Sequence, residues 1–117
     1  MTRQRVCAAG DLGPGERRVT VVGGRSIAVF NVDGDLYAVR NTCPHQGAEL
    51  ARGTIGGTML ASRPHEYVFG LCNRILRCPW HGWEFDLTSG RSLFDPEQIR
   101  VKTYPVLVEN GDVIVDA

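Results

Sequence analysis

The sequence has almost no helical periodicity. Only Gln46-Gly47-Ala48-Glu49-Leu50 and Pro96-Glu97-Gln98-Ile99 offer as much as one turn each, which excludes an α-class fold. A long apolar run is also missing. Val6-Cys7-Ala8-Ala9-Gly10, near the start, is too short and broken for a signal h-region or a membrane anchor, so a soluble, cytoplasmic protein is expected. Neither sign of charge is in excess: 13 Lys and Arg residues balance 13 Asp and Glu. The longest run of like charge is Arg17-Arg18, and no basic stripe carries interleaved aromatics. Nucleic acid and an anionic membrane are therefore not expected partners. Four cysteines in 117 residues are too few for the dense disulfide framework of a small secreted domain, and fit reduced thiols or metal ligands better. A dinucleotide fingerprint is absent too. Gly23-Gly24 has neither the spacing nor a surrounding βαβ unit, and reads as an ordinary hairpin turn.

What is present is a series of short β-rich runs joined at dipeptides that tolerate positive φ. Val19-Thr20-Val21-Val22 and Ser26-Ile27-Ala28-Val29-Phe30 flank Gly23-Gly24, and the second of these runs and Leu36-Tyr37-Ala38-Val39 flank Asp33-Gly34. Pro105-Val106-Leu107-Val108 and Val113-Ile114-Val115 flank Asn110-Gly111, while Trp83-Glu84-Phe85-Asp86 leads into a turn at Ser89-Gly90. Thr58 to Asn73 reads as a further hairpin with its tip at Arg63-Pro64-His65-Glu66. A meander of antiparallel strands follows, in one all-β domain spanning 1–117. Pattern alone does not choose between a small sandwich and an open barrel.

Two segments echo each other: Cys43-Pro44-His45-Gln46-Gly47 and Cys78-Pro79-Trp80-His81-Gly82. Each places a thiolate and an imidazole in one tight loop. Two such loops facing each other would supply two sulfur and two nitrogen ligands, which suits either a tetrahedral zinc ion or a two-iron cluster with mixed ligation. Pro44 and Pro79 disfavour helix, while Gly47 and Gly82 permit positive φ and close approach of the chain to a bulky inorganic group. A lone cysteine or histidine near a turn is more often packed or solvated than ligating; the paired recurrence is what identifies Cys43, His45, Cys78 and His81 as metal ligands.

The pair Cys-x-His and Cys-x-x-His, with the second box reading Cys-Pro-Trp-His-Gly-Trp, resembles the signature of Rieske ferredoxins and of the Rieske domains of ring-hydroxylating oxygenases. The similarity runs from Asp33-Gly34-Asp35-Leu36-Tyr37-Ala38-Val39 to Phe85-Asp86-Leu87-Thr88-Ser89-Gly90. It implies a fold of three antiparallel sheets, with a cluster-binding subdomain over about 41–92 and one [2Fe–2S] cluster. Cys43 and Cys78 would hold the inner iron, and His45 and His81 the outer one. Replacing two thiolates by neutral imidazoles removes negative charge and raises the reduction potential. The resemblance implies a one-electron carrier, not an enzyme. It would take electrons from a separate flavin- or NAD(P)H-dependent reductase and pass them to an oxygenase or another redox enzyme.

The residue inventory limits what the chain does alone. An oxygenase site needs two further histidines and a carboxylate around a mononuclear iron. There are three histidines in all, and only His65 remains after the two boxes. Two alternatives stand beside the carrier: a small Rieske subunit of a larger enzyme of the nitrite-reductase kind, and a colourless structural zinc module. Cys72 and Cys7 fall outside the boxes and read as buried free thiols, His65 as a solvated loop residue, Trp80 as an apolar shield between ligands, and Trp83 as packing beneath the loops. High-potential members of the family place a serine and a tyrosine just after the second box as hydrogen-bond donors to sulfur. Trp83 and Phe85 stand at those positions here. A redox titration is therefore expected to give a midpoint at the low end of the Rieske range, on the order of −150 mV. A midpoint well above zero would contradict this reading.

Overall fold

The computed structural model describes residues 2–44, 47–60, 68–79, 84–93 and 99–117. Its strands are β1 (Arg3–Ala8), β2 (Arg17–Val22), β3 (Arg25–Val32), β4 (Asp35–Arg40), β5 (Thr54–Leu60), β6 (Val68–Arg77), β7 (Glu84–Asp86), β8 (Thr103–Tyr104), β9 (Val106–Glu109) and β10 (Asp112–Asp116). They form three antiparallel sheets, in the orders β1-β10-β9, β2-β3-β4-β8 and β5-β6-β7.

The proposed hairpins form as the turn dipeptides dictate. Gly23 and Gly24 (φ 57° and 79°), Asp33 and Gly34 (53° and 96°), and Asn110 and Gly111 (52° and 79°) all adopt the left-handed conformation, which matches the twist of the strands they join. The chain is not a simple meander, however. β1 pairs with β10, so the two ends of the chain close one sheet, and β8 returns to the edge of β4. Pairings this distant in sequence leave no local signature.

The four-stranded sheet is the middle layer, and β3 explains why. Its successive side chains point to opposite faces. Ala28, Phe30 and Val32 enter one core with Val39, Leu50, Leu76 and Phe85, whereas Ile27 and Val29 enter another with Val22, Ala38, Val113 and Val115. Apolar residues on both faces give the near-continuous run Ile27-Ala28-Val29-Phe30, in place of the alternation of a half-exposed strand. Cys7 is buried in the second core, as expected.

The expected extra hairpin is present as β5 and β6: Thr58 pairs with Gly70, Met59 with Phe69 and Leu60 with Val68. Its tip, including His65, lies outside the described residues. Cys72 falls on β6, and the surroundings of its side chain are likewise outside the description. The single helical turn expected at Gln46–Leu50 is displaced. Gly47 to Glu49 are irregular, and a 3₁₀ turn occupies Leu50–Arg52, because Gly47 takes a positive φ of 75° that interrupts a right-handed turn. A second 3₁₀ turn, Ala9–Asp11, was not anticipated; the other expected turn, at Pro96–Ile99, lies almost wholly outside the described residues. Among the described residues no helix is long and apolar enough to cross a membrane.

Gly90 closes the turn after β7: its N–H donates to the Asp86 carbonyl at 2.6 Å and its carbonyl accepts from the Val101 N–H at 2.8 Å. A Cβ there would overlap the Val101 carbonyl, whereas the space around Gly111 is open. Both have similar positive φ. Gly111→Ala should therefore cost only the left-handed strain, about 1–2 kcal/mol. Gly90→Ala adds the overlap and should cost roughly 3 kcal/mol. Urea midpoints at unchanged m-value measure both, and equal losses would show that the Val101 contact is unimportant.

Candidate metal centre

The first box follows β4 directly. The Asn41 N–H donates to the Ser26 carbonyl at 2.9 Å, carrying the β3–β4 ladder one step further. Beyond it the chain turns back on itself. The Gly47 N–H donates to the Cys43 carbonyl at 2.8 Å, and the Cys43 N–H donates to the Ala48 carbonyl at 2.8 Å. Residues 43–48 thus form a closed loop, with Gly47 supplying the positive φ expected of it. The loop's base is fastened by the Asn41 side chain. Its Oδ1 accepts from the Ala51 N–H at 2.7 Å, and its Nδ2 donates to the Ser26 hydroxyl at 3.2 Å.

The second box connects β6 to β7. Arg77 and Glu84 are opposite each other in the ladder, and the Arg77 Nη2 to Glu84 Oε2 distance is 3.2 Å. Cys78, next after Arg77, stands at the root of this hairpin. Phe85, one step into β7, is fully buried in the core that also holds Cys78.

The two cysteines come together in one core. Cys43 is 1 % exposed and Cys78 3 %, and both belong to the cluster with Ala48, Leu50, Leu76, Phe85 and Leu87. A thiolate in such apolar surroundings is costly unless a cation compensates it, and coordination to a metal provides that compensation. Among the described residues no group of three or more His, Cys, Asp and Glu side chains is assembled, so no described carboxylate joins the pair. The residues present fit an iron–sulfur group held from its buried side by two sulfurs. His45 and His81, with Trp80, Gly82 and Trp83, lie outside the described residues.

Two residues that bond to the first loop and the turn after it carry no signal in the two boxes. Asn41 could have been suspected, since an Asn at the start of a tight loop readily bonds to the amides of its own turn. Arg17 could not. Its guanidinium lies 5.0 Å above the Phe30 ring and donates to the carbonyls of Ala51 (3.0 Å) and Gly53, contacts that only the tertiary fold creates. Burial lowers the Arg17 pKa below the usual arginine value.

Comparison with known proteins agrees with this geometry. The sequence profile of the Rieske [2Fe-2S] domain matches residues 2–105. The ferredoxin CarAc of Metapseudomonas resinovorans is 33% identical over 112 residues, covering 95% of this chain and 90% of that protein. Among solved structures, a chain from the complex of reduced oxygenase and oxidized ferredoxin in carbazole 1,9a-dioxygenase superposes with a TM-score of 0.74 at 31% identity, covering 97% of this chain and 91% of that one. A protein assigned as the small subunit of an NADH-dependent nitrite reductase from Mycobacterium tuberculosis superposes with a TM-score of 0.76 at 28% identity, covering 97% and 93%. With two box cysteines buried together at the roots of two loops, three antiparallel sheets and a profile match over nearly its whole length, the chain belongs to the Rieske [2Fe-2S] domain family.

Proposed function

We infer that this chain is a one-electron carrier, the ferredoxin component of a multicomponent oxygenase system, and that Cys43, His45, Cys78 and His81 hold its [2Fe–2S] cluster. It is not itself an enzyme. Cys43 and Cys78 serve as the inner ligands, and His45 and His81 as the outer ones. Residues 41–92 make up the cluster-binding subdomain of one Rieske domain. The observation that carries the reading is the pair of intact boxes whose cysteines share one buried core. When bound, the cluster supplies a single-electron couple.

The chain's own residues do the rest. The apolar side chains around Cys43 and Cys78 keep water from the sulfur side, and the loop hydrogen bonds hold the ligand backbone rigid so that little reorganises on reduction. The histidine edge is the docking surface for donor and acceptor. The donor is a separate flavin- or NAD(P)H-dependent reductase, since no nucleotide fingerprint is present in the sequence. The acceptor is an oxygenase, supported by the similarity to a ferredoxin solved with its oxygenase. The use of cysteines as ligands in place of disulfides fits a reducing compartment, the cytoplasm.

The nitrite reductase neighbour favours a second reading, a small Rieske subunit of a larger enzyme. A carrier exchanges between partners and gives saturable rates as its concentration rises; a subunit co-purifies in fixed stoichiometry.

The purified protein is expected to be coloured, to bleach with dithionite and then to give the electron paramagnetic resonance signal of a reduced [2Fe–2S] centre. Cys78→Ser and His81→Ala should each abolish or grossly alter that signal. A colourless, redox-silent protein containing zinc would sink the electron-transfer reading.

A further inference from the structure

The 3₁₀ turn Leu50–Arg52 and the Gly53 that follows it form the meeting point of the two ligand loops. On one side the Leu50 N–H donates to the Asn41 carbonyl at 3.4 Å and the Ala51 N–H to the Asn41 side chain at 2.7 Å. Asn41 is the residue from which the first box departs. On the other side Gly53 packs so closely against the Arg77 carbonyl that a Cβ would overlap it, and that carbonyl belongs to the peptide leading into Cys78. Leu50 itself is fully buried in the core that holds both cysteines.

We propose that Arg17 is a positioning residue that locks this turn from the edge of the middle sheet, so fixing the separation of Cys43 and Cys78. The proposal rests on the reading of those cysteines as cluster ligands. Its geometry is specific. The turn ends with carbonyls that have no partner within the helix, which is where a cation is favoured. Arg17 donates to two of them, those of Ala51 and Gly53. Ala51 is thereby held at both ends, through its N–H by Asn41 and through its carbonyl by Arg17. Phe30 forms the platform under the guanidinium: it stands opposite Arg17 in the β2–β3 register, and its ring lies 5.0 Å below. Among the described residues no carboxylate forms an ion pair with Arg17. Burial also disfavours the charge. Among the described residues, then, this half-buried cation has carbonyl and ring partners and no carboxylate, which ties it to the turn it holds. Both bonds come from the one Nη1; lysine would keep the charge, but its compact, strongly hydrated ammonium lacks the planar guanidinium that rests on the Phe30 ring while reaching the carbonyls.

The test uses the purified holoprotein with Arg17→Met and Arg17→Lys. The first-order loss of visible absorbance in excess ferrous chelator is measured for each, together with the electron paramagnetic resonance spectrum after dithionite. Far-UV circular dichroism and urea midpoints report the fold. Arg17→Met is expected to lose its cluster at least tenfold faster than wild type, about 1.4 kcal/mol in barrier, with intact sheet content and with g-values shifted or lines broadened. Arg17→Lys should fall between the two. Loss at the wild-type rate with unchanged g-values overturns the proposal, as does acceleration that merely tracks a lowered urea midpoint while the spectrum is unchanged. If Arg17→Met does not fold, Arg17→Lys decides by the same criteria. A wild-type protein without a cluster removes the ligand reading itself, whereas a loaded wild type with unaffected variants removes only the role of Arg17.

Discussion

The close approach of Gly53 to the Arg77 carbonyl is the contact on which the arrangement around the metal centre depends. The first loop is closed by its own hydrogen bonds, but a loop that is rigid in itself can still move as a body. Where the Leu50–Gly53 turn is bonded to Asn41 and packed against the peptide before Cys78, the roots of both loops become parts of one rigid unit. Only glycine permits that approach, because any side chain would push the two segments apart. A carrier that must change charge without changing shape needs this kind of preorganised surround, since every movement of a ligand on reduction adds to the barrier for electron transfer.

The unit is supported from below by a sheet whose strand β3 is buried on both faces. β3 contributes Ala28, Phe30 and Val32 to the core beneath the ligand loops, and Ile27 and Val29 to the core shared with the terminal sheet. Each large side chain fully buried in these cores stabilises by roughly 1.5–3 kcal/mol. Surface ion pairs such as Arg5 with Asp112 and Arg52 with Glu49 contribute about 0–1 kcal/mol each. Apolar layering therefore holds the fold, and charge adds most where it is partly buried, as at Arg17 and at Glu84 beside Arg77. The ring of Phe30 links the two effects: it lies within the core and at the same time forms the face on which the guanidinium rests.

Much of this was legible in the residues. The positive-φ dipeptides Gly23-Gly24, Asp33-Gly34 and Asn110-Gly111 placed the hairpins, because turn geometry is decided by two or three neighbouring residues. The boxes are visible for the same reason: a cysteine and a histidine within two or three residues of each other is a local fact of the sequence. The expected turn at Gln46–Leu50 is interrupted by the positive φ of Gly47, and the turn that forms at Leu50–Arg52 is held by the bonds Asn41 makes across the loop.

The sequence by itself thus determined the all-β class, the hairpins and the pairing of a cysteine with a histidine in each of the two boxes. The tertiary structure alone decided that the strands divide into three sheets, that β1 closes against β10, that Cys43 and Cys78 share one buried core, and that Arg17 reaches the turn between them. These features join residues far apart along the chain. Which of the many possible long-range pairings forms is set by burying apolar surface from several segments at once, and no short window of sequence carries that choice.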